Sequence, residues 1–263
     1  MELDSIPLAI LFLATVIMVM ASFEGGYALG NNAQKAGEAE KTESISGVSG
    51  AVLSLTAFML AFTFSMVANR YEVRKELVRE DANDIRTAYK RTDLLPDSND
   101  RTKARELVMS YLDQRLAYAS KANADPEHMQ RVLLASKRIE KQLWDITIRN
   151  TESGMNSDYA TLLIESLDEL AAVQASRVDV GLESRIPLGI WIVLYGLTIL
   201  GMMSIGYHSG IVKSKHTKAT WLLALSFATV ISFLISMDRP TGFIEVTQQP
   251  LIDLQTWILE GDS

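Results

Sequence analysis

Residues 58–79 of the chain read FMLAFTFSMVANRYEVRKELVR. The first half of this stretch is apolar and suits the interior of a bilayer, whereas the second half is densely charged and suits water. No Pro or Gly separates the two halves, although either residue would favour a break in a helix. The stretch therefore predicts one continuous helix that crosses a membrane and continues into water.

Four segments of the chain contain no Asp, Glu, Lys or Arg, although these residues make up 22% of the sequence. The segments are residues 6–23, 47–69, 186–207 and 219–237. A helix of about 20 apolar residues crosses a hydrocarbon core of about 30 Å, and a charge at its centre costs roughly 2.5–3.5 kcal/mol. We therefore predict four transmembrane helices. The first segment is also a candidate signal peptide, but its leading residues MELDS are acidic where a signal peptide is basic.

The segment between the second and third predicted spans carries most of the charge. Residues 70–185 hold 19 of the 25 basic and 21 of the 32 acidic residues. Apolar residues recur there at helical spacing, and Asp100 and Asp125 follow turn sequences as expected N-caps. We predict a water-exposed domain of four amphipathic helices. Its apolar faces are formed by Val73, Leu77, Ile85, Tyr89, Leu107, Val108, Tyr111, Leu112, Met129, Val132, Ile139, Leu143, Ile146, Tyr159, Leu163, Leu167, Leu170 and Val173.

The predicted fold is an all-α membrane protein with four transmembrane helices and an extramembrane helical domain between the second and third spans. Residues 1–69 hold the first two transmembrane helices (6–29 and 47–69) and a polar loop, 70–185 form the helical domain, 186–240 hold the third and fourth transmembrane helices (186–207 and 219–237), and 241–263 form an amphipathic tail. In the tail, Leu251, Leu254 and Ile258 share one face, which either docks on the helical domain or lies at the membrane interface.

The distribution of basic residues beside the spans favours a cytoplasmic position for the helical domain and both termini. Seven Lys and Arg residues flank the spans on the domain side, against five on the side of the two loops. Cytoplasmic flanks carry the excess of basic residues in membrane proteins. We expect a multi-pass protein of the plasma membrane, which in a bacterium is the inner membrane.

The second span carries small and bulky side chains on different faces. At about 100° per residue, Phe58, Phe62 and Met66 fall on one arc. Either they ring a symmetry axis as a hydrophobic neck that controls ion passage by wetting, or they face lipid or a neighbouring span. The small residues fall on another arc, which we expect to pack against a helix because small side chains allow close approach in lipid. They are Gly50, Ser54, Ala57, Ala61 and Ser65.

Polar residues of the second span have two interpretations as well. Thr63 lies on a third face, where its hydroxyl either bonds within the helix or lines an ion pathway. Asn69 and Arg70 stand at the water boundary and would form the mouth of such a pathway, where a ring of Arg70 would attract anions. The alternative is an interfacial anchor whose charged head lies among the lipid headgroups.

Two segments resemble the hallmark sequences of the bestrophin-like domain family, bacterial and plant membrane proteins named for a distant likeness to bestrophins. The segments are LSLTAFMLAFTFSMVANRYEVRKELVREDANDIRTAYKRTDLLP at 53–96 and DRPTGFIEVTQQPLIDL at 238–254. The resemblance implies a homo-oligomeric channel, pentameric by analogy with a tetramer as the alternative, and a cytosolic helical domain. It also implies a pore lined by the second span, with apolar neck residues one turn apart, here Phe58, Phe62 and Met66.

The resemblance stops short of animal bestrophins in one respect. Those channels gate through a calcium clasp of consecutive acidic residues after the fourth span. This chain has no run of consecutive acidic residues there, and its acidic residues, among them Asp238, Glu245 and Asp253, are scattered. We therefore expect no calcium dependence.

The sequence lacks the constellations expected of an enzyme, a cofactor site or a metal site. Its three histidines, His128, His208 and His216, are not at ligand spacing, and GYHSG at 206–210 fits a small-xxx-small packing pattern. With a net charge of -7 and no cysteine, the chain predicts neither a nucleic-acid partner nor disulfides. We expect no catalytic residues, no cofactor and no bound metal.

Two functions remain in competition at this stage. The first is an ion channel whose partners are the lipid bilayer, further copies of the chain and small inorganic ions. The alternative is a non-conducting membrane scaffold or signalling protein whose helical domain binds a cytosolic partner.

Overall fold

The computed structural model of the chain describes residues 6–37, 42–121, 126–180, 185–213, 218–239 and 246–261. These residues are almost entirely helical, and no strand occurs among them. Asp125 and Glu245 and the side chain of Met129 lie outside the described residues. The helices are α1 (Leu8–Ala36), α2 (Thr42–Arg91), α3 (Ser98–Lys121), α4 (Pro126–Glu152), α5 (Ser157–Val178), α6 (Leu188–Ile211), α7 (Lys218–Asp238) and α8 (Gln249–Gly261), with a 3-10 turn at Thr92–Leu94.

The prediction of four membrane spans is confirmed, because α1, α2, α6 and α7 are long and apolar enough to cross a bilayer. The predicted polar loop at 30–46 is shorter than expected. Helix α1 continues to Ala36 and ends at Gly37, whose φ of 75° is the left-handed conformation that closes a helix. Gly30, which we assigned to that loop, lies against the backbone of Tyr207 in α6, so packing holds the helix beyond the apolar segment.

The unbroken helix predicted from the opening stretch is also confirmed. Helix α2 has 50 residues and passes through Asn69 and Arg70 without interruption. At about 1.5 Å per residue it is roughly 75 Å long, about two and a half times the thickness of a hydrocarbon core. It ends at Arg91, where Thr92 bonds its hydroxyl to the carbonyl of Tyr89 at 2.6 Å and the 3-10 turn begins.

The chain divides into two compact units. Unit 1 consists of Met1–Arg70 and Arg185–Ile244, and unit 2 of Tyr71–Ser184 and Glu245–Ser263. Each unit is built from two separate stretches of sequence, and α2 contributes to both of them.

Unit 1 is organised around a close contact between α1 and α6. Each helix presents two glycines four residues apart, Gly26 and Gly30 on α1 and Gly206 and Gly210 on α6. A Cβ atom added at Gly206 would lie 2.1 Å from the carbonyl oxygen of Phe23, and one at Gly26 would lie 2.0 Å from that of Met203. The two backbones therefore touch where only glycine fits, as the sequence pattern at 206–210 predicts.

Unit 2 is a helical domain with a core of large apolar side chains from the end of α2 and from α3, α4, α5 and α8. Most of the predicted core residues are buried there, including Ile85, Tyr111 and Leu170. Val73 and Tyr159 are exceptions, with 40% and 48% of their surface exposed. The alternatives for the C-terminal tail are also decided, because Leu251, Leu254 and Ile258 of α8 belong to this core.

Asp100 does not cap α3, contrary to our expectation. The carboxylate of Asp97 accepts hydrogen bonds from the backbone N–H groups of Asn99 and Asp100, at 2.8 and 3.0 Å, and so performs the capping role. Asp100 lies one turn further on, where its carboxylate accepts from Asn150 at 2.7 Å and pairs with Arg149. It therefore ties α3 to α4.

Candidate functional site

The outward face of α2 in unit 1 is the candidate functional site. Every member of the small-residue arc, from Gly50 to Ser65, is exposed, so none of the helices described above packs on it. The bulky arc beside it is also uncovered: Phe58 exposes 65% and Phe62 51% of its surface, and Met66 is half-buried. Apart from the partial cover on Met66, both arcs expected to carry function point away from the protomer.

The opposite face of α2 packs on α6. Ser49 and Ser204 share a hydrogen bond at 2.6 Å, and Thr56 donates to the carbonyl of Leu197 at 3.4 Å as well as to its own turn. Thr63 lies on this buried face with no exposed surface, and its hydroxyl donates to the carbonyl of Met59 at 2.7 Å. Of the two interpretations of Thr63, the bond within the helix is the one observed.

The outward face of α2 differs in composition from the outward faces of α6 and α7. The exposed positions of α6 and α7 are dominated by large aliphatic and aromatic side chains, which suit contact with acyl chains, whereas those of α1 include Ala and Gly as well as large side chains. On α2, exposed Phe and Leu side chains alternate with Gly, Ala and Ser. The large exposed side chains of the other three spans include Ile10, Leu13, Ile17, Leu29, Leu188, Ile192, Val193, Leu200, Trp221, Leu222, Leu225, Val230 and Phe233.

The two residues expected at the mouth of the pathway have different surroundings. Asn69 is exposed. Arg70 is mostly buried, and its guanidinium forms an ion pair with Asp238 at 3.4 Å, with 22% and 12% of the two side chains exposed. Since Asp238 compensates much of its charge, Arg70 attracts anions less than an unpaired arginine would.

Asp238 is the residue that reasoning from the sequence missed. Its carboxylate also accepts from the backbone N–H of Ile186, just before α6, at 3.3 Å, and its carbonyl accepts from Arg185 at 2.6 Å. The next residue, Arg239, donates to the carbonyl of Ile6, just before α1, at 2.7 Å. Together these bonds fasten one end of all four membrane helices. The only signal in the sequence is that Asp238 opens the second hallmark segment.

Unit 2 has a buried ionic centre of its own. Asp81 of α2 has no exposed surface and pairs with Arg177 of α5 and with Arg115 of α3, the latter at 3.5 Å. Arg177 also donates to the side chain of Gln248, just before α8, at 3.0 Å. Two guanidinium groups and one carboxylate therefore join four segments of the domain.

A second buried group lies next to this centre. Arg115 donates to the hydroxyl of Tyr111 at 2.7 Å, and that hydroxyl lies 3.1 Å from the amide oxygen of Gln174. Burial raises the pKa of Tyr111 far above its ordinary value, and it also raises the pKa of Glu140. Tyr111 therefore stays neutral at physiological pH and acts as a hydrogen-bonding group.

The described residues contain no group of three or more His, Asp or Glu side chains that could hold a metal ion. In unit 2 the buried Asp81 pairs with Arg115 and Arg177. The absence of a catalytic site or cofactor thus remains a prediction from the sequence.

The fold defines a four-span, all-α membrane protein. A family model for the Bestrophin-like domain matches residues 10–251. The chain therefore belongs to the Bestrophin-like family, as its two hallmark segments predict. No curated protein matches it in sequence.

Solved structures share the fold at low sequence identity. A bacterial bestrophin homologue from Klebsiella pneumoniae, solved as an isoleucine-to-threonine variant, is 15% identical with a TM-score of 0.63, over 96% of this chain and 99% of that one. A tyrosine-to-alanine variant of that homologue gives 17% identity and a TM-score of 0.66, covering 96% and 98%. A structure described as a membrane protein, solved as a leucine-to-alanine variant, is 15% identical with a TM-score of 0.67, over 96% of this chain and 97% of that one.

Proposed function

We propose that the protein is a homo-oligomeric ion channel whose pore runs along the outward face of α2. Membership of the Bestrophin-like family and the fold shared with a bacterial bestrophin homologue support a channel. The observation that carries the proposal is the composition of the uncovered face of α2, which mixes small residues with Phe58 and Phe62.

Small exposed residues support an assembly of several copies. Gly, Ala and Ser give little contact with acyl chains, but they allow two helices to approach closely. In this proposal Gly50, Ser54, Ala57, Ala61 and Ser65 pack against α2 of neighbouring protomers. The assembly is a pentamer by family analogy, with a tetramer as the alternative.

The neck of the pore is formed by Phe58, Phe62 and Met66. These side chains are spaced four residues apart, so copies of each would form successive apolar rings around the axis. Apolar rings control ion passage by wetting and dewetting. Thr63 is left out of the lining because it is fully buried within the protomer.

The mouth of the pore lies beside Asn69, and the polar side chain of Asn69 is exposed there. Arg70 contributes mainly by holding Asp238, and thereby the ends of the spans, in place. We further propose that the helical domain and both termini are cytoplasmic and that the protein resides in the plasma membrane, the inner membrane of a bacterium. The slight excess of basic residues on the domain side supports this orientation.

Cysteine scanning tests the pore directly, because the chain has no cysteine and gives no background. Single Cys replacements along 51–69 are treated with a water-soluble thiol reagent in intact membranes. We expect labelling at Phe58, Phe62 and Met66 and protection at Thr56 and Thr63. Uniform protection of all positions would contradict the proposal and favour a membrane scaffold.

Ion flux supplies the functional measurement. Purified protein in liposomes is expected to release trapped ions, and Phe62→Ala is expected to change the rate several-fold by widening an apolar ring. Leu13→Ala on the outward face of α1 is the control, since that side chain is exposed to a similar degree, 58%, but lies on another span. Liposomes that stay sealed to every salt tested would contradict conduction.

A further inference from the structure

Two rows of opposite charge lie on neighbouring helices of unit 2. The basic row consists of Lys137, Arg138 and Lys141 on α4, and the acidic row consists of Glu165, Asp168 and Glu169 on α5. All six side chains are exposed. Helices α4 and α5 are joined by a short turn and pack against each other. Lys137 interacts electrostatically with Glu140 of its own helix, but neither row forms an ion pair within 4 Å among the described residues.

The acidic row adds to a local excess of negative charge. Glu169 lies close to Asp84 of α2, which also has Glu80 and Asp81 nearby. Partial burial, Glu169, Glu80 and Asp81, in that order, raise the pKa of Asp84 to about 6. A basic surface docked on this face would relieve the repulsion between these carboxylates.

The spacing of the two rows is complementary. The basic residues 137, 138 and 141 are separated by one and then three positions. The acidic residues 165, 168 and 169 are separated by three and then one. If the two helices run antiparallel, Lys137 faces Glu169, Arg138 faces Asp168 and Lys141 faces Glu165.

The same register also matches exposed apolar side chains. It places Trp144 of α4 opposite Leu162 of α5, with 39% and 37% of their surfaces exposed. At the other end it places Leu134, which is 48% exposed, opposite Ala172. Three ion pairs would thus lie between two apolar contacts, as in interfaces where charge sets register and apolar burial supplies affinity.

We propose that α4 of one protomer docks through its basic row, Leu134 and Trp144 on the acidic row and Leu162 of α5 in the next protomer. The occupant of each face is a second copy of this chain, and this inference rests on the homo-oligomer of the proposed function. Because the two faces differ, the contact is heterologous, and in this proposal the rotation between protomers closes it into a ring. Isolated surface ion pairs contribute little stability, so the rows mainly select the partner and fix the register.

A pair of engineered cysteines tests the contact. The full chain carrying both Lys141→Cys and Glu165→Cys is oxidised in native membranes and run without reductant. We expect a ladder of covalent dimers, trimers and larger species that ends at the subunit number of the ring. Each single replacement, and the mismatched pair Glu106→Cys with Glu165→Cys, is expected to remain monomeric.

The outcomes of this experiment are distinct. A ladder supports a heterologous contact through these two faces. Products that stop at a dimer would show a two-fold contact and overturn the proposal. Absence of any cross-link, while light scattering shows an assembled protein, would overturn it too and would assign the rows to another partner.

Charge reversal provides the second test. At low salt, Lys137→Glu with Lys141→Glu, or Glu165→Lys with Glu169→Lys, is expected to lower the assembled fraction several-fold. All four replacements on one chain are expected to restore it, because the two faces exchange sign together. Failure of restoration in a folded four-fold variant, or no loss in either pair, would overturn the proposal.

Flux measured in the same preparations separates the interface from the channel. A ladder without flux would refute only the channel. Flux without a ladder would refute only this interface.

Discussion

The packing inside unit 1 differs in kind from the packing inside unit 2. In unit 1 the closest contacts are between backbones, at Gly26 and Gly206, and the outer surface is apolar. In unit 2 the closest contacts are between large side chains and around a buried carboxylate, Asp81. The two units of the same polypeptide are therefore stabilised as expected for two different solvents, lipid and water. Burial of apolar surface drives packing in water, whereas shape and close approach decide it in lipid.

The comparison predicts where each unit is most vulnerable, and the largest effect is expected at the ionic centre of unit 2. Asp81→Ala leaves Arg115 and Arg177 buried without their carboxylate, and such a loss costs about 3–5 kcal/mol. Hydrogen exchange should show faster exchange throughout unit 2. Glu76→Ala is the control, because its pair with Arg79 is exposed and contributes at most about 1 kcal/mol. Equal effects of the two variants would contradict the assignment.

The second effect is expected at the glycine contact of unit 1. Gly206→Ala places a methyl group against the backbone of Phe23, which cannot move aside as a side chain could. Overpacking typically costs about 1–3 kcal/mol, so the melting temperature in detergent should fall clearly. A Cβ atom added at Gly196 on the same helix would meet no atom within 4 Å, so Gly196→Ala should leave stability unchanged or raise it by up to about 1 kcal/mol. A harmless Gly206→Ala would mean that α1 and α6 are not in backbone contact.

The smallest effect is expected at Asp84 and depends on pH. Its pKa is raised from 3.8 to about 6, so the folded state loses stability as pH rises through 6 and keeps this contribution only below about 4. Asp84→Asn should therefore raise the melting temperature of unit 2 at pH 7–8, and the difference from the native chain should vanish near pH 4. Because the carboxyl is only partly buried and water screens its charge, we expect less than about 1 kcal/mol. Asp145→Asn serves as the control, and a pH-independent difference would contradict the account.

The comparison also explains which parts of the fold were predictable. The four spans and the continuity of α2 follow from local composition, because charge is costly in lipid and no helix breaker interrupts residues 58–79. The extension of α1 to Ala36 was not predicted. It depends on Gly30 meeting Tyr207 in α6, and the distance between those residues in sequence hides the contact.

The candidate site was predictable only in part. Helical periodicity separates the arc of Phe58 and Phe62 from that of Thr63. It does not say which arc the rest of the chain covers, because that depends on where α6 packs. The pairing of Arg70 with Asp238 joins residues 168 positions apart, so no local pattern could reveal it.

The position of α8 has a consequence for how the protein is made. Leu251, Leu254 and Ile258 complete the core of unit 2, but the ribosome adds them only after all four membrane helices have been synthesised. Until then the nascent helical domain lacks the three side chains that α8 contributes to its core. Synthesis of the last span therefore precedes closure of the domain, and the core of unit 2 is the last part of the fold to be completed.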